Sequence, residues 1–175
     1  MPRRAEGLRR LGLTPTEQLA REFDRIFAEA PRAAAEREVP LLALRVGPDP
    51  YAVKVTELSG IVVDKRLVPL PSPRRELLGV IGHRAAVVPV YSLGALLGYP
   101  LSEVAPRWFM FAAGPDTVAL AVDALDAHLK VATSAISAAT GSRQPFLHEV
   151  VSDGDLRRPV IRIADLISTL KAKEP

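Results

Sequence analysis

The sequence predicts a mainly β protein with one helix near each end of the chain. Two observations predict this fold class. About ten short apolar segments, separated by clusters of Gly, Pro, Asp and Ser, follow one another at spacings of about ten residues, a pattern typical of β-barrels and β-sandwiches. The central part of the chain also contains too few helical patterns for alternating strand–helix units and a parallel sheet.

The first predicted element is a capped amphipathic helix over residues 16–30. Thr14 supplies a side-chain oxygen for the N-cap, Pro15 suits the first helical position, and Glu17 completes a capping box. Pro31 ends the helix because its ring clashes with the preceding turn. One stripe of this helix is apolar: Leu19, Phe23, Ile26 and Phe27. This stripe either packs on the chain's own barrel or docks on a partner.

Strands follow the first helix. Tyr51, Val53 and Val55 occupy every second position of one segment, the signature of a half-buried strand. Residues 135–144 are small and polar and predict a surface loop with some helix, and residues 164–171 predict a closing helix. The predicted strands cover residues 41–46, 51–55, 60–63, 67–70, 86–91, 108–113, 117–122, 128–132, 147–151 and 159–163.

Charge and composition exclude several classes of function. The net charge is +3, and residues 1–13 contain four arginines against one glutamate, so the rest of the chain is electrically balanced. A protein that neutralises nucleic-acid phosphates needs its basic excess on the folded surface. The chain has no cysteine for disulfides or thiolate metal sites, and no apolar run long enough for a membrane span. We therefore expect a cytoplasmic protein that binds no nucleic acid and does not insert into membranes.

No local motif of catalysis or metal binding stands out. The three histidines, His83, His128 and His148, lie too far apart in sequence for the short spacings of a zinc site. The chain has no G-x-S-x-G nucleophile elbow and no glycine-rich phosphate loop. We expect no catalytic, cofactor-binding or metal-binding residues. An enzyme or small-ligand barrel, with a site assembled from distant residues, is the least favoured alternative.

The stretch from Gly79 to Gly98 reads GVIGHRAAVVPVYSLGALLG. It resembles the central motif of the CheW-like chemotaxis coupling proteins, in which a glycine-led apolar strand turns over an N-L-R-G tip into a second strand with one proline. Arg84 and Pro89 stand in register with that motif. Three flanking stretches resemble the family's first hairpin, its second-lobe strand, and its closing strand and helix: LLALRVGPDPYAVKVTEL (41–58), VALAVDAL (118–125) and RRPVIRIADLISTL (157–170).

The resemblance implies a fold of two SH3-like five-stranded β-barrels packed side by side, with the N-terminal amphipathic helix before them and a C-terminal helix at the end. It implies a CheW-like domain over residues 39–171, with the boundary between the two lobes near 99–106. Residues 1–38 then form a basic tail and the amphipathic helix, and residues 172–175 form a short tail.

The resemblance also implies a function. Members of the family are adaptors rather than enzymes, and they work without a cofactor in two-component chemotaxis signal transduction. The chain would couple the cytoplasmic tip of a chemoreceptor to the regulatory domain of a CheA-type histidine kinase, in the cytoplasm beside membrane receptor arrays. The alternative is a divergent scaffold with an altered partner set, which uses the helix at 16–30 for another protein. Self-association stays open.

The resemblance assigns partner contacts to Arg84, His83, Leu58 and Val88. Arg84 is the charged residue of the motif that the chain retains, and its guanidinium offers a rigid fork of donors to a carboxylate or to backbone carbonyls across an interface. The alternative is a contact within the chain, between the hairpin loop and the barrel. The chain departs from the family pattern at Gly60, Gly82, Ala85, Ser92, Gly94 and Ala119, which leaves open whether it binds both usual partners.

Overall fold

The structure is a computed structural model that describes residues 37–115, 117–139, 141 and 144–172. The basic tail and the helix predicted over residues 16–30 lie outside the described residues. Strands dominate the described part of the chain, which confirms the prediction of a mainly β fold.

The described residues form eleven strands and two helices. The strands are β1 (Glu38–Val46), β2 (Asp49–Lys54), β3 (Leu58–Val63), β4 (Leu77–His83), β5 (Ala86–Ser92), β6 (Trp108–Ala112), β7 (Ala119–Val122), β8 (Ala124–Ala132), β9 (Ile136–Ala138), β10 (Leu147–Asp153) and β11 (Leu156–Ile161). The helices are α1 (Leu93–Leu97) and α2 (Ile163–Ala172). Single 3-10 turns, Val55–Glu57 and Thr133–Ala135, separate β2 from β3 and β8 from β9.

Both helices have identifiable ends. Ser92 caps α1, because its hydroxyl accepts a hydrogen bond from the Ala95 amide at 3.1 Å, and Gly98 ends it in a left-handed conformation at φ 93°. The first amide of α2, on Ile163, donates to the carboxylate of Glu57 at 2.5 Å. The apolar face of α2 is buried, through Ile163, Leu166, Ile167 and Leu170.

The strands form two sheets. One has five strands in the order β3-β6-β7-β5-β4, and the other has six in the order β8-β1-β2-β11-β10-β9. Neighbouring strands pair antiparallel except β5 with β7 and β11 with β2, which are parallel. The expectation of five strands per lobe therefore holds for one sheet only, because the short strand β9 adds a sixth to the other.

The two sheets are not consecutive in sequence. The six-stranded sheet takes β1 and β2 from the start of the described chain and β8 to β11 from its end. Residues 99–106, where a boundary between lobes was expected, connect α1 to β6, but β5 before them and β6 after them belong to the same five-stranded sheet. Each sheet therefore does not correspond to one continuous half of the chain, because β2, near the start of the described chain, pairs with β11, near its end.

Apolar side chains are buried in three places. Leu44, Val53, Met110, Leu120 and Ile161 belong to the largest cluster, which draws on both sheets and both helices. The interior of the five-stranded sheet holds two phenylalanines with smaller residues: Ile81, Val88, Val90, Phe109, Phe111, Ala119 and Ala121. The interior of the six-stranded sheet is smaller: Leu41, Ala52, Val151 and Val160. Each large apolar side chain buried in this way stabilises the fold by about 1.5–3 kcal/mol.

Two local predictions were wrong. Residues 67–70 do not form a strand, because Pro69 has no amide to donate, and a single bridge between Val68 and Val80 is all that remains. Residues 135–144 were expected to be a loop with some helix. Their first part instead forms β9, which pairs with β10 through Ile136 and Ser137.

Candidate protein-interaction surface

The β4–β5 hairpin presents a tight tip. His83 pairs with Ala86, which leaves Arg84 and Ala85 as a two-residue loop. Both loop residues have left-handed backbones, at φ 47° and 62°, as a type I′ turn requires. That turn favours asparagine and glycine, and a residue with a Cβ costs about 1–2 kcal/mol in this conformation. The hairpin therefore holds Arg84 at an exposed and strained tip.

His83 is half-buried and closes the interior of the five-stranded sheet. Its ring stacks on Phe111, with the ring centroids 3.9 Å apart and the planes at 25°. Phe111 itself is buried in the interior cluster. His83 thus supports the tip from inside and leaves Arg84 as the more accessible of the two.

Val88 cannot contact a partner, because its side chain is fully buried. Its assignment as a partner-binding residue was wrong. In the hairpin, Val88 pairs with Ile81 on the inner face, whereas Val87 pairs with Gly82 on the outer face and is 74% exposed. The run of apolar residues around Pro89 lacks the alternating polar positions that would have shown which face turns inward.

The outer face of the hairpin is apolar. We call Val68, Val80, Val87 and Pro89 the hairpin face, since the strand register places them on one side of the sheet. Val68 is 49% exposed, and a Cβ placed on Gly82 would meet no atom within 4 Å. The hairpin face is therefore open to solvent, most of all at Val68 and Val87.

A second apolar strip borders the cluster between the sheets. Leu58 is half-buried and packs against that cluster, and Ile61 and Val63 continue the line along β3, exposed at 40% and 44%. Ile61 pairs with Met110, a buried member of the same cluster, so the side chains share a face. We call Leu58, Ile61 and Val63 the edge strip. The sequence signal for it was the apolar run of 60–63, which does not say that β3 is an outer strand.

A bidentate ion pair holds the end of β3. The guanidinium of Arg107 donates to both carboxylate oxygens of Asp64, at 2.7 and 2.9 Å, and the Asp64 amide donates to the Arg107 carbonyl at 2.8 Å. The hydrogen bond from Arg107 holds the pKa of Asp64 below its ordinary value. The pair is exposed to solvent and fixes the outer end of the edge strip.

The remaining sequence features, which are the apolar helix stripe, candidate metal ligands and candidate membrane spans, provide no further candidate site within the described residues. The stripe of Leu19, Phe23, Ile26 and Phe27 lies outside the described residues. Within the described ranges, no group of three or more His, Asp or Glu side chains is placed to hold a metal ion. No helix in the same ranges is long and apolar enough to cross a membrane.

Comparisons with known proteins agree with this architecture. The family model of the CheW-like domain matches residues 40–174. The chain belongs to the CheW-like domain family. The crystal structure of the scaffolding protein TtCheW from Thermoanaerobacter tengcongensis is similar in fold, with a TM-score of 0.66 at 15% sequence identity, covering 72% of this chain and 90% of that one. No curated protein sequence gives a significant match. The resemblance predicted from the Gly79 to Gly98 stretch is confirmed.

The CheW-like domain carries a second hairpin equivalent to the first. Val150 pairs with Pro159 in β10–β11, as Val80 pairs with Pro89 in β4–β5, and a helix follows each hairpin. The two stretches align without a gap as GVIGHRAAVVPVYSLGALLG and EVVSDGDLRRPVIRIADLIS. This internal repeat was a sequence signal for a second surface, and the sequence reasoning missed it.

The second hairpin differs from the first in charge. Arg157 stands at the position of exposed Val87, and Arg158 at the position of buried Val88. Arg158 is 7% exposed and donates to the carboxylate of Asp126 at 3.3 Å, and Arg45 donates to the same carboxylate at 3.0 Å. A groove of about 480 Å³ runs beside this hairpin, lined among others by Ala138, Leu147, Val150, Arg157 and Pro159.

Proposed function

We propose that this chain is a non-enzymatic adaptor that couples the cytoplasmic tip of a chemoreceptor to the regulatory domain of a CheA-type histidine kinase. Membership of the CheW-like family supports the adaptor class, and TtCheW is itself described as a scaffolding protein. The observation that carries the proposal is the open hairpin face with Arg84 at its tip. It lies on the hairpin that carries the family motif.

Two separate apolar surfaces suit an adaptor, since coupling requires one chain to hold two partners at once. The hairpin face and the edge strip lie at opposite edges of the same outer face of the five-stranded sheet, on β4–β5 and on β3, and the buried side chains of Tyr91, Leu120 and Met110 stand between them. Apolar centres with a few charged residues at the rim are the ordinary anatomy of protein interfaces. Arg84 and the Asp64–Arg107 pair supply such rim charges.

The proposal includes the absence of catalysis and a place of action. We infer that the chain works in the cytoplasm, beside membrane receptor arrays, and needs no cofactor. Its contribution to signalling is then geometric, because it sets the distance and orientation between receptor and kinase. Purified chain should accordingly alter kinase output only when both partners are present.

The test uses the full chain, the receptor tip and the kinase regulatory domain from the same genome. Binding of each partner is measured by titration calorimetry for the wild type, Arg84→Glu, Val87→Asp and Ile61→Asp. We expect the first two variants to weaken one partner and the third to weaken the other, each by at least about tenfold, the size of a lost interface anchor. Lys130→Glu, an exposed charge reversal on β8, is the matched control.

Two outcomes decide between the readings. Wild-type affinity of all three surface variants for both partners would contradict the proposal. Deletion of residues 1–38 addresses the alternative scaffold with the helix at 16–30: retained coupling supports the adaptor, and loss of all binding with the CheW-like domain still folded supports the alternative.

A further inference from the structure

A groove beside the β1–β2 turn is separate from both apolar surfaces. It has a volume of about 320 Å³, and its lining includes Gly47 in the turn, Gly94 in α1, Tyr99 and Leu101 in the following segment, and Asp123 between β7 and β8. Neither the hairpin face nor the edge strip contributes to it.

Two glycines keep this groove open. A Cβ on Gly47 would lie 3.2 Å from Cδ1 of Tyr99, and the φ of Gly47, 57°, also disfavours any other residue. A Cβ on Gly94 would lie 3.4 Å from Cγ1 of Val46 and 3.8 Å from Cβ of Tyr99. A longer side chain at position 94, where the family motif has the arginine of D-L-R, would therefore enter the space that is open in this chain.

Tyr99 forms a fixed wall. Its hydroxyl donates to the carboxylate of Asp49 and lies 3.0 Å from the hydroxyl of Tyr51. Burial, reinforced by the hydrogen bond to Asp49, raises the pKa of Tyr99, so the phenol stays protonated at physiological pH. The ring is thus held in place by contacts outside the groove, and the carboxylate of Asp49 is already engaged.

The charge of the groove is negative at one end. The Oδ2 atom of Asp123 accepts a hydrogen bond from the Gly47 amide at 2.7 Å, and the Oδ1 atom accepts none within the described part of the chain. None of the residues that line the groove is lysine, arginine or histidine. The hydroxyl of Ser92 is occupied as the cap of α1, and Leu101, 44% exposed, adds an apolar wall.

We propose that this groove binds a basic side chain, lysine or arginine, presented by a partner polypeptide. The aliphatic stem would lie along Leu101 and Tyr99, and the cationic head would donate to the Oδ1 atom of Asp123. Charge complementarity selects this occupant over an acidic peptide or a phosphate, which Asp123 repels. The site stands on residues that the proposed coupling function does not use, so either can fail without the other.

Amide NMR spectra of the full chain provide the test. The probes are acetyl-glycyl-lysyl-glycinamide and acetyl-glycyl-arginyl-glycinamide, and the matched control is the same tripeptide with norleucine, which keeps the apolar stem and lacks the charge. We expect saturable shifts at the amides of Gly47 and Gly94 with the basic peptides, and binding about tenfold weaker with norleucine, the size of one charge-assisted hydrogen bond.

Two variants test the assigned groups. Asp123→Asn keeps an oxygen for the Gly47 amide and removes the charge, so we expect the basic peptides to lose about tenfold in affinity. Gly94→Leu fills the groove and should abolish the shifts at Gly47 while the rest of the spectrum is retained. Asp155→Asn, in the β10–β11 turn, should bind as the wild type does. Equal binding of the norleucine peptide, undiminished binding by Asp123→Asn, or the absence of saturable shifts at Gly47 and Gly94 would each overturn the proposal.

Discussion

The interiors of the two sheets are filled by different kinds of side chain. The five-stranded sheet is filled by Phe109 and Phe111, and the ring of His83 stacks over one end. The six-stranded sheet has only aliphatic residues in its interior cluster, Leu41, Ala52, Val151 and Val160. There Arg158, paired with Asp126, occupies the position in the hairpin that is equivalent to Val88. Equivalent backbones therefore accept either an apolar core or a paired charge, provided that a partner carboxylate stands at the mouth.

The tips of the two hairpins show a second difference. Arg84 and Ala85 both hold left-handed backbones without a glycine, whereas Gly154 takes the left-handed position in the β10–β11 turn at φ 61°. Of the two hairpins, the one that carries the family motif is therefore the strained one. Strained conformations of this kind persist where surrounding structure enforces them, and they concentrate at functional sites.

Exchanging the equivalent buried residues of the two hairpins, Val88 and Arg158, should give the largest change in the unfolding free energy. Val88→Arg places a charge among phenylalanines with no carboxylate in the interior cluster, so we expect the domain to lose on the order of 5 kcal/mol of unfolding free energy or not to fold. Arg158→Val should change the unfolding free energy by less than about 1 kcal/mol, because valine fills the buried position and the carboxylate of Asp126 keeps its ion pair with Arg45 at 3.0 Å. Urea unfolding measures both, and equal destabilisation by the two variants would contradict the comparison.

A substitution to alanine should affect stability differently in the first strands of the two hairpins, β4 and β10. A Cβ on Gly79 would lie 2.1 Å from the carbonyl oxygen of Val68, whose segment crosses β4 there. We expect Gly79→Ala to cost on the order of 3 kcal/mol of unfolding free energy, since backbone must move. The equivalent position in β10 is Glu149, which carries a full side chain. Glu149→Ala is the control and should cost less; a harmless Gly79→Ala would show that the Val68 segment is not held against β4.

Removing the carboxylate at the mouth of the six-stranded sheet should leave Arg158 unpaired. Asp126→Ala is expected to cost about 2–3 kcal/mol of unfolding free energy, because the guanidinium remains buried without its partner. The double variant Asp126→Ala with Arg158→Val should recover most of that loss, as a double-mutant cycle in urea would show. Additive losses from the two changes would mean that the pair is not coupled.

Exchanging alanine and glycine at the two hairpin tips should change the unfolding free energy in opposite directions. Ala85→Gly removes a Cβ from a left-handed position and should raise the unfolding free energy by about 0.5–1 kcal/mol, and Gly154→Ala should lower it by about 1 kcal/mol. Thermal unfolding measures both. If Ala85→Gly stabilises the fold but weakens partner binding, the strained tip serves recognition, whereas unchanged stability would mean that position 85 relaxes in solution.

The exposed Asp64–Arg107 pair at the end of β3 should have the smallest effect on stability. The direction in which that effect changes with pH follows from the pKa of Asp64. The pKa of Asp64 is lowered in the folded chain from the ordinary value of 3.8, so its stabilising effect is complete above that pH and is lost as the pH falls through the folded pKa. Asp64→Asn should flatten the acid limb of stability below pH 3.8, and salt should weaken the wild-type contribution. The contribution of the more buried Asp126–Arg158 pair to stability should be less sensitive to salt. Equal salt dependence of the two pairs would contradict the conclusion that Asp126–Arg158 is shielded from solvent and Asp64–Arg107 is not.

Much of the local structure followed from the sequence. The closing helix, expected at 164–171, extends from Ile163 to Ala172, because its apolar residues recur at helical spacing. The clusters of Gly, Pro, Asp and Ser between apolar segments also marked turns correctly, since Gly47 and Gly154 take left-handed conformations in the β1–β2 and β10–β11 turns. The candidate site was predicted less well, since Arg84 is exposed at the hairpin tip but Val88 is buried and Val87 takes its place on the surface. A run of apolar residues has no polar partner to show which face turns inward.

The sequence by itself determined that this protein is a mainly β member of the CheW-like family, with the motif hairpin as its most distinctive element. Turn residues and side-chain periodicity act over a few positions, so they are legible in one chain. Only the tertiary structure decided that β1 and β2 join the strands of the chain's end, that β3 stands at an edge, and that Asp126 lies beside Arg158. Those outcomes depend on which distant strands pair, and pairing is settled by packing between segments far apart in sequence rather than by any local pattern.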